Sequence, residues 1–203
     1  MRRRIKRSDM KKDIILSGVG GQGILSIATV IGRAALADNL HLKQAEVHGM
    51  SQRGGDVQSN LRLSTELIFS DLIPKGECDL ILSLEPMEAL RYLPWLSSDG
   101  WVVTNSTPLV NIPNYPPIED VLAELGTVKN LVVLDCDAAA RSIGSPRGAN
   151  MVLLGAAATA LRDILDPQKL KEGIAGVFSR KGEAVVEANV AAFEAGLEIS
   201  KNQ

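Results

Sequence analysis

Two apolar spacings alternate along this chain. Short apolar runs at 13–17 (DIILS), 79–84 (DLILSL), 101–105 (WVVTN) and 131–135 (LVVLD) predict strands. Such runs suit a sheet covered on both faces. Residues 43–48 predict one further strand. Residues 57–64 behave differently. Val57, Leu61 and Leu63 fall on one side and Gln58, Asn60, Arg62 and Ser64 on the other, with Ser59 interrupting the apolar side. That period of two predicts a half-buried strand of antiparallel type.

Helical spacing fills the intervals. Ile24, Leu25, Ile27, Ala28, Ile31, Ala34, Ala35 and Leu36 follow a 3.6-residue period and predict a helix over 22–38. A short helix is expected from Pro86 through MEALRYLPWL, and others over 118–125, 148–165 and 182–199. Asp166 can cap a further helix that has Pro167 at its first position. Four prolines between 106 and 117 make that stretch a loop. Strand–helix alternation of this kind predicts an α/β fold: a Rossmann-like, doubly wound, mostly parallel sheet with C-terminal helices. No repeat divides the chain, so residues 13–203 read as a single domain.

Charge sets the first twelve residues apart. They hold seven basic residues and one acidic, a net of +6, which leaves −8 on the rest of a chain whose total is −2. Residues 1–12 therefore read as a basic, disordered arm. The body has no basic stripe and only 3% aromatics, so no nucleic acid partner is expected. No apolar run approaches the ~20 residues of a membrane span, and the basic start is not followed by an apolar signal core. A cytoplasmic protein with no membrane partner is the expectation. Cys78 and Cys136 lie 58 residues apart, too few and too distant for a disulfide framework. They are also too few for an iron–sulfur cluster held by this chain alone. With only His41 and His48 as histidines, no metal site is expected.

Candidate chemistry gathers in two segments. Gly18, Gly20, Gly21, Gln22 and Gly23 form a G-x-G-x-x-G turn with an added glycine, placed after a predicted strand and before a predicted helix. Glycine permits positive φ and close backbone approach, and the helix start offers N–H groups to an anion. A dinucleotide site also needs an acid about 20 residues on. Glu46 lies 23 residues after Gly23 and keeps a free-standing NAD(P)-binding dehydrogenase open as an alternative. A packing turn, or a nucleotide-binding scaffold without chemistry, is open too. The second segment carries Glu46, His48, Ser51, Gln52, Arg53, Gly54 and Gly55 between two predicted strands. It is too polar for a core. Arg53 can clamp a carboxylate or phosphate, or pair with Glu46 across a surface loop.

Together the segments SGVGGQG (17–23) and EVHGMSQRGGDVQSNLRLS (46–64) resemble the γ-type subunit or domain of the 2-oxoacid:ferredoxin oxidoreductases. CDLILSLEPMEALRYLPWL (78–96) and EANVAAFEAG (187–196) add to the likeness, which spans the chain after residue 12. The wording HGMSQRGG is closest to the small subunit of the indolepyruvate branch. The resemblance implies a complex that converts a 2-oxoacid and coenzyme A to acyl-coenzyme A, carbon dioxide and two reducing equivalents. It implies thiamine diphosphate, Mg, [4Fe-4S] clusters and coenzyme A in that complex, with the thiamine and clusters on a large partner subunit. Ferredoxin is met through the complex, and no cofactor is bound by this chain alone. The γ-type chain would contribute no catalytic residue. Its two glycine segments would bind an anionic group, form the subunit interface, or hold the fold. An isolated chain would be inactive and could pair with itself as a homodimer.

Glu85 and Asn105 follow predicted strands, and the carboxyl ends of such strands are where ligands bind. Both are candidate cleft-lining residues, with capping as the plainer role. Asp135, Asp137 and Asn150 carry the same two readings, and Cys136 reads as a small buried residue.

Overall fold

The computed structural model describes residues 10–48 and 54–201. Strand β1 (Lys11–Val19) leads through a glycine turn into α1 (Ile24–Ala37), followed by β2 (His41–His48) and β3 (Asp56–Ser64). Next come β4 (Cys78–Ser83), α2 (Pro86–Arg91), a 3-10 turn at Leu93–Trp95, β5 (Leu96–Asn105), α3 (Ile118–Leu125) and β6 (Asn130–Leu134). Four helices close the chain: α4 (Cys136–Ser142), α5 (Ala149–Leu161), α6 (Pro167–Phe178) and α7 (Glu183–Lys201).

The six strands form one sheet in the order β2-β3-β1-β4-β5-β6. Strands β1, β4, β5 and β6 run parallel, and β3 runs antiparallel to both β1 and β2. The sheet is mostly parallel, as expected, and its antiparallel member is the strand whose residues alternate.

The period of two sorts residues into two cores. Ile14, Leu16, Leu80, Leu82 and Val103 join Ile27 and Ile31 of α1, the apolar body of α5, and Phe193 of α7. On the other face Ile15, Ile81 and Val102 meet Ala89 of α2 and Val121 and Leu125 of α3. Each fully buried aliphatic side chain stabilises the fold by about 1.5–3 kcal/mol.

Helix α5 is buried all round from Met151 to Ala158. It lies against α7 at near-backbone contact. A Cβ at Gly155 would fall 1.9 Å from the Phe193 carbonyl oxygen, and one at Gly196 would fall 1.8 Å from that of Val152.

Four boundaries depart from the sequence pattern. Strand β1 begins at Lys11, so Lys11 and Lys12 belong to the sheet rather than to an arm. Lys12 reaches Asp163 at 2.8 Å with its stem buried; residues 1–9 lie outside the described residues. Helix α2 stops at Arg91 because the Pro94 ring would clash with the carbonyl four residues back. Strand β5 starts at Leu96, which pairs with Cys78 ahead of a register shift; residues 97–100 fall within that shift, and Trp101 is the next to pair, with Leu80. Helix α4 arises where no helix is expected, capped by the Asp135 carboxylate, which accepts from Ala138 N at 2.7 Å.

Candidate functional site

The carboxyl ends of β1, β4, β5 and β6, the end of β2 and the start of β3 share one edge of the sheet. At the end of β1 the chain turns through Gly20–Gly23 into α1. Gly21 (φ 105°) and Gly23 (φ 90°) adopt left-handed conformations that a side chain would strain. Gly23 is the N-cap of α1, and no described side chain caps that helix start. Gln22 turns inward: its Oε1 accepts from Val19 N at 2.7 Å and its Nε2 donates to Leu84 O at 3.1 Å. It ties the turn to the end of β4 rather than presenting itself to a ligand. Gly18 lies beneath it, where a Cβ would sit 2.8 Å from Gln22 Oε1.

The second segment joins the first directly. Gly20 N donates to Gly55 O at 2.9 Å, one step beyond the Val19–Asp56 pair of the β1–β3 ladder. Gly54 O accepts from Asn111 Nδ2 at 2.6 Å, which brings in the proline-rich loop after β5. A cavity of about 390 Å³ opens here, lined by Gly20, Gly21, Gly23 and Glu46, with Ile24, Leu25 and Val57 as its apolar wall. Glu46 thus meets the glycine turn although β3 separates their strands. In a dinucleotide-binding sheet the acid's strand lies directly beside the first strand; here β3 intervenes. His48 closes β2, its backbone opposite Val57. Ser51, Gln52 and Arg53 lie outside the described residues.

Glu85 and Asn105 are not cleft-lining. Glu85 is 1% exposed and its carboxylate is fully engaged inside the protein. Oε2 accepts from Glu88 N at 2.9 Å as the cap of α2, and Oε1 accepts from Tyr115 Oη at 2.5 Å and Leu109 N at 3.4 Å. Burial, then the bond to Glu85, raises the Tyr115 pKa, so that hydroxyl keeps its proton. Asn105 is 2% exposed. Its Oδ1 accepts from Cys136 N at 3.0 Å and its Nδ2 donates to Asp137 Oδ2 at 3.1 Å. Both residues are satisfied internally and hold the loops around the site.

Sequence reasoning passed over the loop itself. Asn111 and Tyr115 latch it to Gly54 and Glu85, and Leu109, Val110 and Ile112 stand partly or largely exposed along it. Polar side chains set among prolines after a strand are the signal that could have marked them. Asn150 is neither a cap of α5 nor a wall of the cavity: its Nδ2 donates to Gly23 O at 3.3 Å.

The two thiols do not fit a metal cluster. Cys78 belongs to one core and Cys136 to the other. Burial pushes the Cys78 thiol up to about 12 and raises that of Cys136 as well. Among the described residues no group of three or more His, Cys, Asp and Glu is placed to hold a metal, and no helix is long and apolar enough to cross a membrane.

Comparison with known proteins gives a consistent picture. The family model described as pyruvate ferredoxin/flavodoxin oxidoreductase matches residues 13–199. The indolepyruvate oxidoreductase subunit IorB of Thermococcus kodakarensis is 34% identical over 197 residues, covering 93% of this chain and 96% of the relative. The protein of that name from Methanothermobacter thermautotrophicus is 33% identical over 197 residues, covering 92% and 96%. The crystal structure of the keto/oxoacid ferredoxin oxidoreductase gamma subunit from Geobacter sulfurreducens superposes with a TM-score of 0.69 at 27% identity, covering 95% of this chain and 99% of that one.

Proposed function

Because this chain belongs to the pyruvate ferredoxin/flavodoxin oxidoreductase family, we propose that it is the small, γ-type subunit of a 2-oxoacid:ferredoxin oxidoreductase acting on aryl 2-oxoacids such as indolepyruvate. The single observation that carries the reading is the family match over 13–199, which takes in both glycine segments. Two relatives that are 33–34% identical over 96% of their length are named indolepyruvate oxidoreductase subunit IorB, whereas the 2-oxoglutarate synthase subunits that match over a similar share are 28–30% identical. The free-standing dehydrogenase reading is not supported. The family match points elsewhere, and β3 separates the strand of Glu46 from β1.

In this reading thiamine diphosphate, Mg and the iron–sulfur clusters sit on a larger partner subunit and supply decarboxylation and electron transfer to ferredoxin. This chain supplies position. The glycine turn and its cavity receive an anionic part of coenzyme A at the start of α1, where helix N–H groups favour negative charge. Gly54 and Gly55 border that edge, and His48, Ser51, Gln52 and Arg53 take part in binding the anion or the partner. The exposed apolar residues Leu109, Val110 and Ile112 belong to the same docking face, since a contiguous apolar patch at a site marks an interface.

The test is to recover the tagged chain from its own cells, measure iron in the eluate, and assay it with aryl pyruvate, coenzyme A and an oxidised viologen. A brown complex with a large partner and coenzyme-A-dependent dye reduction is expected. A colourless, partner-free protein that binds NAD(P) would overturn the proposal.

A further inference from the structure

Asn150 reaches from the first turn of α5 to the glycine turn, 127 residues earlier in the chain. Its Nδ2 grips the Gly23 carbonyl, while its Oδ1 is buried and, among the described residues, accepts no hydrogen bond. The residues that follow it, Met151 to Ala158, are all buried and apolar or glycine. An unpaired buried acceptor is destabilising, so a small apolar residue at this position would leave α5 at least as stable. What the asparagine adds is its hold on Gly23. The fit there is close: a Cβ on Gly23 would fall 2.6 Å from Asn150 Nδ2.

The Gly23 carbonyl is thereby fixed by two donors, Ser26 N at 3.1 Å and Asn150 Nδ2 at 3.3 Å. A trans peptide is planar, with its C=O and N–H pointing opposite ways. Fixing the Gly23 oxygen inward turns the Ile24 N–H outward at the helix start. Gly23 and Ile24 both wall the cavity.

We infer that Asn150 is a positioning residue for coenzyme A: it holds the Gly23–Ile24 peptide so that the Ile24 N–H meets the coenzyme's anionic end. The inference rests on the proposed role of the glycine turn. Asn150 touches no substrate; it acts through Gly23.

Three variants of the native complex test it, each assayed for the KM of coenzyme A, the KM of aryl pyruvate, kcat and melting temperature. Gly21→Ala perturbs the turn directly, through a φ of 105° that alanine resists. Asn150→Ala removes both ends of the amide. Asn150→Asp keeps its size and acceptor but loses the donor. Gly21→Ala is expected to raise the coenzyme A KM. Asn150→Ala is expected to raise it about tenfold, with the aryl pyruvate KM changed by less than about twofold and the melting temperature no lower. Asn150→Asp is expected to raise it at least as much.

A raised KM in Gly21→Ala with no change in either Asn150 variant overturns the inference and leaves the role of the turn standing. No change in any of the three removes both. A wild-type KM in Asn150→Asp alone overturns it, because the donor would then not matter. A lowered melting temperature with all kinetic constants falling together in both Asn150 variants also overturns it, by reducing Asn150 to a packing role.

Discussion

Asp13 is fully buried, and its carboxylate is met by two cations. Arg62 donates Nε to Oδ1 at 2.8 Å and Nη2 to Oδ2 at 2.9 Å, and Lys11 Nζ lies 2.8 Å from Oδ2. The same guanidinium holds the Ser70 and Leu72 carbonyls of the β3–β4 loop. Removing one partner of a buried pair strands the other charge. Arg62→Met should therefore cost about 3 kcal/mol in urea unfolding, with Lys11 keeping the loss from growing larger. A change below about 0.5 kcal/mol would mean that water reaches Asp13. Next to this pair, Asp79 accepts from Asp13 N at 2.7 Å. Burial raises its pKa above 3.8, against the pull of the Asp13 N–H bond first and then of Lys12 and Lys11. The folded state thus holds that proton more tightly than the unfolded chain. Its contribution to stability is full at low pH and is lost as the pH rises through the raised value. Asp79→Asn keeps an acceptor for the Asp13 N–H without the charge. Its urea midpoint should exceed the parent's at neutral pH, and the gap should close toward about pH 4. A lower midpoint at neutral pH would show that the Asp13 N–H bond and the lysines together outweigh burial.

Among the elements, α5 and α7 meet with the least tolerance. The atoms that a Cβ at Gly155 or Gly196 would strike are backbone carbonyl oxygens, which cannot rotate aside. Gly155→Ala should force the helices apart and cost about 3 kcal/mol, at the upper end of overpacking effects. A urea midpoint within error of the parent would show that α7 slides freely on α5. How much of this was legible follows the local signals. Helix α3 matched the predicted 118–125 because Pro117 starts it and Gly126 ends it. Strand β3 was recognisable as antiparallel because polar and apolar residues alternate along it. Helix α4 was not, since seven residues with only Cys136 and Ala140 buried carry too little periodicity. The first half of β5, LSSDG, was hidden because residues 97–100 lie in a register shift between the Leu96 and Trp101 pairs and show no apolar alternation. The glycine turn could be read from its spacing alone. Its partners could not: Asn150 and Asn111 reach it from distant parts of the chain, and Glu85 and Asn105 looked like ligand residues until their bonds were seen.

The whole molecule gathers its proposed chemistry at one edge, so that edge should be separable from stability. Val110 is 68% exposed on the loop that latches to Gly54. Val110→Asp should shift the melting temperature by less than about 2 °C. It should also weaken recovery of the large partner in a pull-down; undiminished recovery would place the docking face elsewhere. The strand order has a further consequence, for a chain being synthesised. Strand β1 is central, yet its two neighbours are β3 and β4, and Ser17 pairs with Ser83 across 66 residues of sequence. As the chain leaves the ribosome, Ile14, Ile15 and Leu16 emerge before either neighbouring strand of β1 and have no sheet to enter. The β2–β3 hairpin closes locally and becomes the first edge able to receive them, and β4 follows on the other side. Translation speed through residues 56–83 therefore sets how long this fully apolar-cored strand stays uncovered.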